Sequence, residues 1–357
     1  MNIARQRLCQ CGLRQGLARS RLYSQARPER KYTASRVAPL ALGAGVVTGL
    51  SFYFFYPDAS RSAPTSTTAL LSPSHFTPST VLSNENSGPD TKLLELVVPP
   101  ELLPRCDATD PLAPSFAPIW SVYIKDDDIQ VERPYTPLEG VDDQGRMLFW
   151  IKKYPKGEVG RWLHLKKPGE KIELRGPLTN WLWKESEWDE IVMISGGTGI
   201  TPFYQLLHSV ISRQSEASPR FTLLHSSRTP AELPPPKIMD TLSTFAAQNP
   251  QKFRMELFVD SREGTPPPAH LPNPRLGRIG KPAIEQCLGI NNRDSWWRRL
   301  FWKREAQKPS RKVLFLVCGP DQMVNAISGP FGRNFSQGPI GGILSEMGFS
   351  ANEVWKL

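Results

Sequence analysis

The sequence predicts an α+β protein of two domains, in which an antiparallel β-barrel precedes an α/β domain with a parallel sheet, behind an N-terminal transmembrane helix. Three observations predict this arrangement. Residues 91–184 carry short runs of strand-forming residues, residues 188–357 alternate strand-like and helix-like patterns, and residues 37–56 are uncharged. A chain of 357 residues is long enough to build more than one hydrophobic core.

Residues 1–36 have the composition of a mitochondrial presequence followed by a short matrix stub. They hold eight arginines and one lysine against a single acid, Glu29, and so carry +8 of the net charge of +10. The rest of the chain is nearly neutral, which argues against a nucleic-acid-binding protein. Chloroplast import and a disordered basic tail are the alternatives.

The stretch VAPLALGAGVVTGLSFYFFY, residues 37–56, has the length that a helix needs to cross a bilayer. Its aromatic end resembles an interfacial belt, and a buried core helix is the alternative. The basic residues lie before it, which predicts a single-pass inner-membrane protein with its N-terminus in the matrix and its C-terminal domain in the intermembrane space. Residues 57–90 are rich in Ser, Thr and Pro and predict a flexible linker.

The two predicted domains differ in the order of their elements. The barrel domain, 91–184, has predicted strands at 91–99, 119–125, 145–154 and 170–176. The α/β domain, 188–357, has predicted strands at 190–195, 220–227, 254–261 and 312–319, with helices near 201–213, 231–248, 281–288 and 321–327. The few, scattered cysteines and histidines predict neither a disulfide framework nor a metal site.

The stretch ISGGTGITPFYQLL, residues 194–207, follows a predicted strand and opens a predicted helix. Three glycines within four positions allow the backbone to approach a phosphate at the positive end of a helix. Thr201 is the expected N-cap and Pro202 the expected first helical residue. Taken alone, the stretch fits a structural turn as well as a nucleotide site.

Three further motifs decide between these alternatives. They are RPYTPL at 133–138, RGPL at 175–178 and CGPDQM at 318–323, each at the end of a predicted strand. In this order, and with GGTGITP, they resemble the ferredoxin–NADP reductase superfamily and most closely its NADH–cytochrome b5 reductase branch. The resemblance implies an FAD-binding barrel and a nucleotide-binding α/β domain, with a hydride passing from C4 of NADH or NADPH to flavin N5. It also implies single-electron transfer to a haem protein in the same compartment.

The resemblance assigns FAD to residues of the barrel. Arg133 matches the arginine on the pyrophosphate, Tyr135 the tyrosine against the flavin ring, and Thr136 a catalytic hydroxyl near N5, with Pro134 between them. The segment IKKYPKG matches the strand and turn beside the ribityl chain and phosphate, through Ile151, Lys152, Tyr154 and Gly157. The family's pyrophosphate serine is replaced by Gly160 or Arg161, so FAD affinity is an open question.

The resemblance assigns the nicotinamide nucleotide to the second domain. The expected pyrophosphate turn is Gly196, Gly197, Thr198 and Gly199, continuing to Thr201 and Pro202. The expected nicotinamide neighbours are Cys318, Gly319, Pro320 and Met323, with Cys318 as a catalytic, positioning thiol. Residues 354–357 resemble the family's C-terminal end, which often places an aromatic over the flavin; here the last residue is Leu357 and the nearest aromatic is Trp355, so that contact is an open question.

The choice between NADH and NADPH stays open at the level of sequence. Ser227 and Arg228 follow the second strand of the α/β domain, where they could hold a 2′-phosphate. The acid that favours NADH in the family is not evident in the sequence.

One segment departs from the family pattern. Residues 293–312 combine eight basic and two acidic residues with four aromatic ones. They predict contact with an anionic membrane, centred on 296–304, or with an acidic redox partner; a solvated loop is the alternative.

Two rivals to the cytochrome b5 reductase-like function remain. One is the function of the fungal mitochondrial flavoproteins that assist haem attachment to cytochrome c, which share the presequence, the single span and the reductase-like body. The other is a degenerate scaffold that binds a protein or lipid partner and transfers no electrons.

Overall fold

The computed structural model describes residues 45–48, 63–104, 118–126, 131–184, 187–212, 219–264, 271–290 and 309–357. Among these residues, no helix combines the length and the apolar character that crossing a bilayer requires. The predicted span 37–56 is described only at 45–48, which is helical and exposed. The predicted presequence 1–36 and the predicted membrane-contact segment 296–304 lie outside the described residues.

The first lobe, residues 63–184, is built on a six-stranded antiparallel sheet with the strand order β4-β3-β6-β1-β2-β5. Its strands are β1 Thr77–Gly88, β2 Thr91–Val97, β3 Ile119–Lys125, β4 Glu132–Tyr135, β5 Arg146–Lys152 and β6 Lys171–Trp181. Just beyond β4, the N–H of Leu138 donates to Leu148 O of β5 at 2.8 Å. This bond joins the two edges of the sheet, as the predicted barrel requires.

Strand β1 corrects the predicted linker 57–90, because Thr77–Gly88 pairs with both β2 and β6. Its buried positions alternate through Thr77, Ser79 and Val81, so the strand has a core face although that face is partly polar. The Ser79 hydroxyl donates to Ile172 O at 2.8 Å, which satisfies it inside the sheet. The Ser and Thr content that predicted a tether is therefore compatible with a central strand.

The second lobe, residues 187–357, is a six-stranded parallel sheet with the order β10-β9-β8-β7-β11-β12. Its strands are β7 Glu190–Gly196, β8 Arg220–Ser227, β9 Phe253–Val259, β10 Arg275–Leu276, β11 Val313–Cys318 and β12 Val354–Lys356. Its helices in the described residues are α2 Thr201–Leu206, α3 Pro236–Gln248, α4 Lys281–Cys287, α5 Asp321–Ser328 and α6 Gly342–Glu346. Helix α2 continues as a wider, π-helical turn over Leu207–Ile211. The first lobe adds one helix, α1 Glu158–Leu165.

The two lobes share a hydrophobic core. Ile119, Trp150 and Trp181 of the first lobe are buried in one cluster with Ile200 and Phe203 of the second. Because these residues lie in β3, β5 and β6 of the first lobe and in the turn and helix that follow β7, the shared core holds the motif-bearing segments of both lobes against each other. This arrangement creates the cleft described next.

Candidate functional site

A cleft of about 480 Å³ lies between the lobes and brings together three of the four motifs that the sequence singles out, RPYTPL, GGTGITP and CGPDQM. The predicted site residues that line it are Arg133, Pro134, Tyr135, Thr136, Lys152, Tyr154, Gly157, Gly160, Gly196, Thr198, Gly199, Thr201, Pro202, Cys318, Gly319 and Pro320. They come from four separate parts of the chain, 133–136, 152–160, 196–202 and 318–320. Their convergence in one cavity is the geometry expected of a site that holds two ligands side by side.

The second-lobe side of the cleft is a turn in which three glycines leave the backbone bare, and Gly199 is the position where a side chain fits least. A Cβ on Gly199 would stand 2.3 Å from Cys318 O, and a Cβ on Gly196 would stand 2.7 Å from the Sδ of Met323. Gly197 adopts a positive φ of 54°, which other residues rarely adopt. The bare backbone of this turn can therefore approach a phosphate closely.

The start of helix α2 differs from the prediction in one detail. Thr201 is the first helical residue and Ile200 the N-cap, so Thr201 does not cap the helix. A single 3₁₀ turn over Gly197–Ile200 directly precedes the helix, which extends the helical segment toward the glycines. The positive end of the helix consequently lies nearer to the cleft than the sequence predicts.

The first-lobe side of the cleft carries a cation and an aromatic ring. Arg133 is exposed and its Nη1 donates to Glu132 O at 2.9 Å, which leaves other guanidinium donors for a ligand. Burial raises the pKa of the Tyr135 phenol well above its usual value. Tyr135 therefore remains neutral and presents a ring face with a proton donor at its end.

The residues present fit an FAD cofactor. No side chain caps helix α1 at Gly157, so its first N–H groups are available at the end of the cleft where a pyrophosphate would lie. A Cβ on Gly160 would come 2.9 Å from Lys152 O, so this wall must be bare backbone. Arg133 supplies a positive charge, and Glu158, in the first turn of α1, opposes it. The missing serine is thus replaced by backbone donors and one guanidinium.

Six predicted site residues do not line the cleft: Ile151, Arg161, Gly197, Ser227, Arg228 and Met323. Ile151 is buried in the first-lobe core, and Arg161 lines a separate groove with Lys92 and Trp162. Successive helical residues point about 100° apart, so Gly160 faces the cleft while Arg161 faces away from it. Of the two candidate replacements for the serine, Gly160 alone lies at the site.

Met323 supports the cleft from behind. Cβ atoms on Gly196 and Gly319 would stand 2.7 Å from its Sδ and 2.5 Å from its Cε, respectively. Its flexible side chain fills the space between the two glycines, which fixes the distance between the turn and β11. It is a packing residue in this structure.

Ser227 and Arg228 are held by partners inside the protein. The Ser227 hydroxyl donates to Glu232 O at 3.2 Å, and the side chain is buried. The Glu232 carboxylate accepts from Arg228 Nε at 2.9 Å and from Lys152 Nζ at 2.7 Å. Hydrogen bonds from Lys152 and Arg228 outweigh desolvation and lower the pKa of the Glu232 carboxyl. An ionised carboxylate thus links the lobes at the rim of the cleft.

A polar chain runs under the turn. His225 is fully buried; its Nδ1 lies 2.8 Å from the Ser195 hydroxyl and its Nε2 lies 3.2 Å from the Ser227 hydroxyl. Burial lowers the pKa of His225 to about 3, so its imidazole is neutral. These hydrogen bonds connect Ser195, directly before the glycine turn, with Ser227 at the end of β8 near Glu232.

Acidification is expected to destabilise the protein through His225. Below pH 6.5 the unfolded chain protonates this histidine while the folded protein does not, so stability falls with pH down to about pH 3. Between pH 7 and pH 5 the loss is about 2 kcal/mol. Urea unfolding at both pH values measures it, and His225→Gln should lose about 2 kcal/mol less over the same interval. An equal loss in both proteins would contradict this prediction.

Cys318 has a protonated thiol, because burial raises its pKa to about 12, although the residue as a whole is half-buried. We expect iodoacetamide at pH 8 to alkylate Cys318 at least about 100-fold more slowly than in the urea-unfolded chain, since the thiolate is the reactive form. Peptide mass spectrometry resolves this residue from the other cysteines. Alkylation at the rate of the unfolded control would show a reactive thiol and overturn the positioning assignment.

Eight residues in the cleft were not predicted: Ser121, Phe149, Trp150, Lys156, Glu158, Val159, Asn180 and Leu357. The sequence could have indicated Lys156, Glu158 and Val159, because they lie between the predicted residues Tyr154, Gly157 and Gly160. Asn180 was not, because its place depends on how far β6 extends past RGPL. The indole Nε1 of Trp355 donates to Asn180 O at 3.0 Å; Leu357 lines the cleft, and Trp355 does not.

Comparisons with known proteins agree with this geometry. Residues 118–183 match an oxidoreductase FAD-binding domain, and residues 193–329 match an oxidoreductase NAD-binding domain. The chain is 30% identical over 234 residues to NADH-cytochrome b5 reductase 2 of Lodderomyces elongisporus, covering 66% of this chain and 69% of that one. It is 27% identical over 323 residues to the protein of the same name from Kluyveromyces lactis, covering 90% and 97%.

Solved structures share the fold. The cytochrome b5 reductase domain of Ulva prolifera nitrate reductase superimposes with a TM-score of 0.55 at 19% identity, covering 81% of this chain and 100% of that one. The CS-b5R domains of human Ncb5or superimpose with the same TM-score at 20% identity, over 79% of this chain and 69% of that one. Both comparisons support the two-lobe architecture.

Proposed function

The chain belongs to the NADH–cytochrome b5 reductase family of the ferredoxin–NADP reductase superfamily, and we propose that it takes electrons from NADH in preference to NADPH and delivers them to a cytochrome b5-type haem protein. It is an FAD-dependent oxidoreductase. The observation that carries the proposal is the single cleft that sixteen predicted residues of both lobes line.

The residues of this chain bind and orient the reactants. When bound, FAD supplies the chemistry that accepts a hydride and releases electrons one at a time. Arg133 and the N-terminus of α1 would hold the pyrophosphate of FAD, and Tyr135 and Thr136, which line the same cleft, would lie beside its ring. The turn at Gly196–Gly199 holds the second nucleotide, and Cys318 lies beside it as a neutral group.

Two carboxylates support the preference for NADH. The Glu232 carboxylate already pairs with Arg228 Nε, so a 2′-phosphate would have to compete with this carboxylate for the guanidinium. Asp260, which sequence reasoning missed, follows β9, and its N–H donates to Ser227 O at 3.2 Å. A ribose 2′-hydroxyl can donate to a carboxylate at this sheet edge, whereas a 2′-phosphate is repelled by it.

The membrane location is the second part of the proposal. The arginine-rich 1–36, the uncharged 37–56 and the basic residues before it support a single-pass inner mitochondrial membrane protein with its lobes in the intermembrane space. The segment 296–304 would then contact the membrane or the partner. Protease treatment of intact mitochondria and mitoplasts tests the topology: cleavage of the C-terminal region only after outer-membrane rupture is expected.

The redox function is tested with the full chain purified in detergent. We expect a yellow protein whose flavin absorbance is bleached faster by NADH than by NADPH, and which then reduces ferricytochrome b5. A colourless protein that does not take up added FAD would favour the scaffold alternative. Reduction of haem or apocytochrome c complexes in preference to cytochrome b5 would favour the alternative role in haem attachment.

Glu232→Gln tests the preference for the dinucleotide. Removing the carboxylate frees Arg228 and Lys152, so the ratio of kcat/KM for NADPH to that for NADH should rise about tenfold, equivalent to about 1.4 kcal/mol. Glu101→Gln removes the same charge from an exposed first-lobe site and should leave the ratio unchanged. A ratio that is unaltered in Glu232→Gln would contradict the role of this carboxylate.

A further inference from the structure

The buried amide of Gln205 joins the two lobes. Its Oε1 accepts from the N–H of Trp120 in β3 at 2.8 Å, and its Nε2 donates to Pro137 O at 2.9 Å. The side chain is 2% exposed, so both bonds lie away from solvent. Gln205 belongs to the second lobe, and both partners belong to the first.

The two ends of this bridge lie close in sequence to the two halves of the cleft. Gln205 is in helix α2, which begins directly after the glycine turn 196–199. Pro137 directly follows the segment 133–136, and β3, which contains Trp120, pairs with β4 through Val122 and Tyr135. One amide thus connects the segment that borders the flavin with the turn that borders the nicotinamide nucleotide.

The chemistry of this bridge favours a rigid connection. A primary amide donates and accepts in one plane, so two bonds to two backbone groups fix both the distance and the orientation of the helix. In a low-dielectric interior such bonds are strong, and breaking one leaves a buried backbone group without a partner. Leu, Met or Ala in this position would fill space but would make neither hydrogen bond, and so would not fix the position of one lobe relative to the other.

We propose that Gln205 is a positioning residue for hydride transfer, which holds the nucleotide turn at a fixed distance from Tyr135 and Thr136. The inference rests on the proposed function, since it assigns the bridge to the step between nicotinamide and flavin. Hydride transfer requires the two reacting atoms in near contact, and a displacement of about 1 Å can lower a rate by about 100-fold. Gln205 acts through the two segments and touches neither reactant.

The test compares Gln205→Met with Ser209→Ala. Ser209 lies farther along the same helical segment, and its hydroxyl donates to Pro118 O at 3.1 Å, so it also bonds the first lobe but lies outside the cleft. In FAD-free protein, amide hydrogen exchange at Trp120 should be at least about tenfold faster in Gln205→Met than in wild type or Ser209→Ala. In the loaded protein, the single-turnover rate of flavin reduction by NADH should fall at least about tenfold, with the Kd for NAD⁺ changed less than twofold.

Gln205→Glu provides a second variant should Gln205→Met not fold. Its carboxylate still accepts from Trp120 but, when ionised, cannot donate to Pro137, so exchange at Trp120 stays slow while flavin reduction slows. Wild-type reduction rates in whichever variant folds would overturn the proposal, as would a slower rate matched by Ser209→Ala. Failure of the proposed function is distinct, since wild-type protein itself would then show no reduction by NADH.

Discussion

Replacing Gly199 with alanine is expected to lower NADH-dependent flavin reduction by at least about 100-fold and to destabilise the second lobe by about 3 kcal/mol. The added Cβ would stand 2.3 Å from Cys318 O, 2.6 Å from Cys318 C and 2.8 Å from Gly319 Cα. All three are backbone atoms, so no side chain can move aside. Ordinary contact begins near 3.4 Å, and the turn must therefore shift by about 1 Å away from β11.

The matched control is Gly197→Ala, two residues earlier in the same turn. No heavy atom lies within 4 Å of the added Cβ there, so the cost is that of a positive φ, about 1 kcal/mol. Thermal unfolding and stopped-flow flavin reduction measure both effects. Equal losses of rate in the two variants would show that conformational freedom, and not the close approach to Cys318, is what the turn requires.

The sequence predicted best where side-chain pattern alone determines the structure. Strand β3 has the predicted bounds 119–125, and β7, β8 and β11 lie within two residues of their predicted limits. These strands are rich in β-branched and aromatic residues, which indicate a strand in either sheet. Three of the four motifs came together because each ends a strand, and strand ends meet at a common edge of the cleft. The fourth, RGPL, was predicted to end a strand but lies inside β6, which continues to Trp181, and its residues do not line the cleft.

The sequence predicted less well where the partner of a side chain decides its role. Arg228 was a candidate to hold a 2′-phosphate, with the choice of dinucleotide left open, and in the structure it pairs with Glu232, four residues later. Gln205 lies in a predicted helix, and nothing in its neighbours along the chain indicates that it binds residues 68 and 85 positions away. Such contacts depend on how the lobes pack, which local patterns do not encode.

Arg175→Met is expected to destabilise the first lobe by about 3 kcal/mol or more, because it leaves a poorly solvated carboxylate without its partner. The side chain of Arg175 is 6% exposed, and its Nε donates to Glu132 Oε2 at 2.7 Å. Its Nη1 donates to Pro73 O at 3.0 Å, and its guanidinium lies 4.5 Å from the centre of the Tyr123 ring. Methionine keeps much of the volume but none of these bonds.

The control for Arg175→Met is Arg146→Met in the same sheet. Arg146 also binds a carboxylate, Asp142, at 2.8 Å, but both side chains are more than 40% exposed, and this pair should contribute less than about 1 kcal/mol. Urea unfolding of both variants measures the difference. Equal losses would mean that burial of the Arg175–Glu132 pair has no energetic consequence.

Replacing Arg175 should also weaken FAD binding in the cleft. Glu132 begins β4, which is an edge strand of the sheet and carries Arg133 and Tyr135 into the site. Without the arginine, the start of this strand loses a side-chain anchor and depends more on its pairing with β3, so the FAD-binding segment becomes more mobile. We therefore expect Arg175→Met to weaken FAD binding about tenfold in titrations of the FAD-free protein.

The double variant Arg175→Met/Glu132→Gln separates the two effects. Removing the unpaired charge of Glu132 should recover stability but not the full affinity for FAD, because the bonds that anchor β4 remain absent.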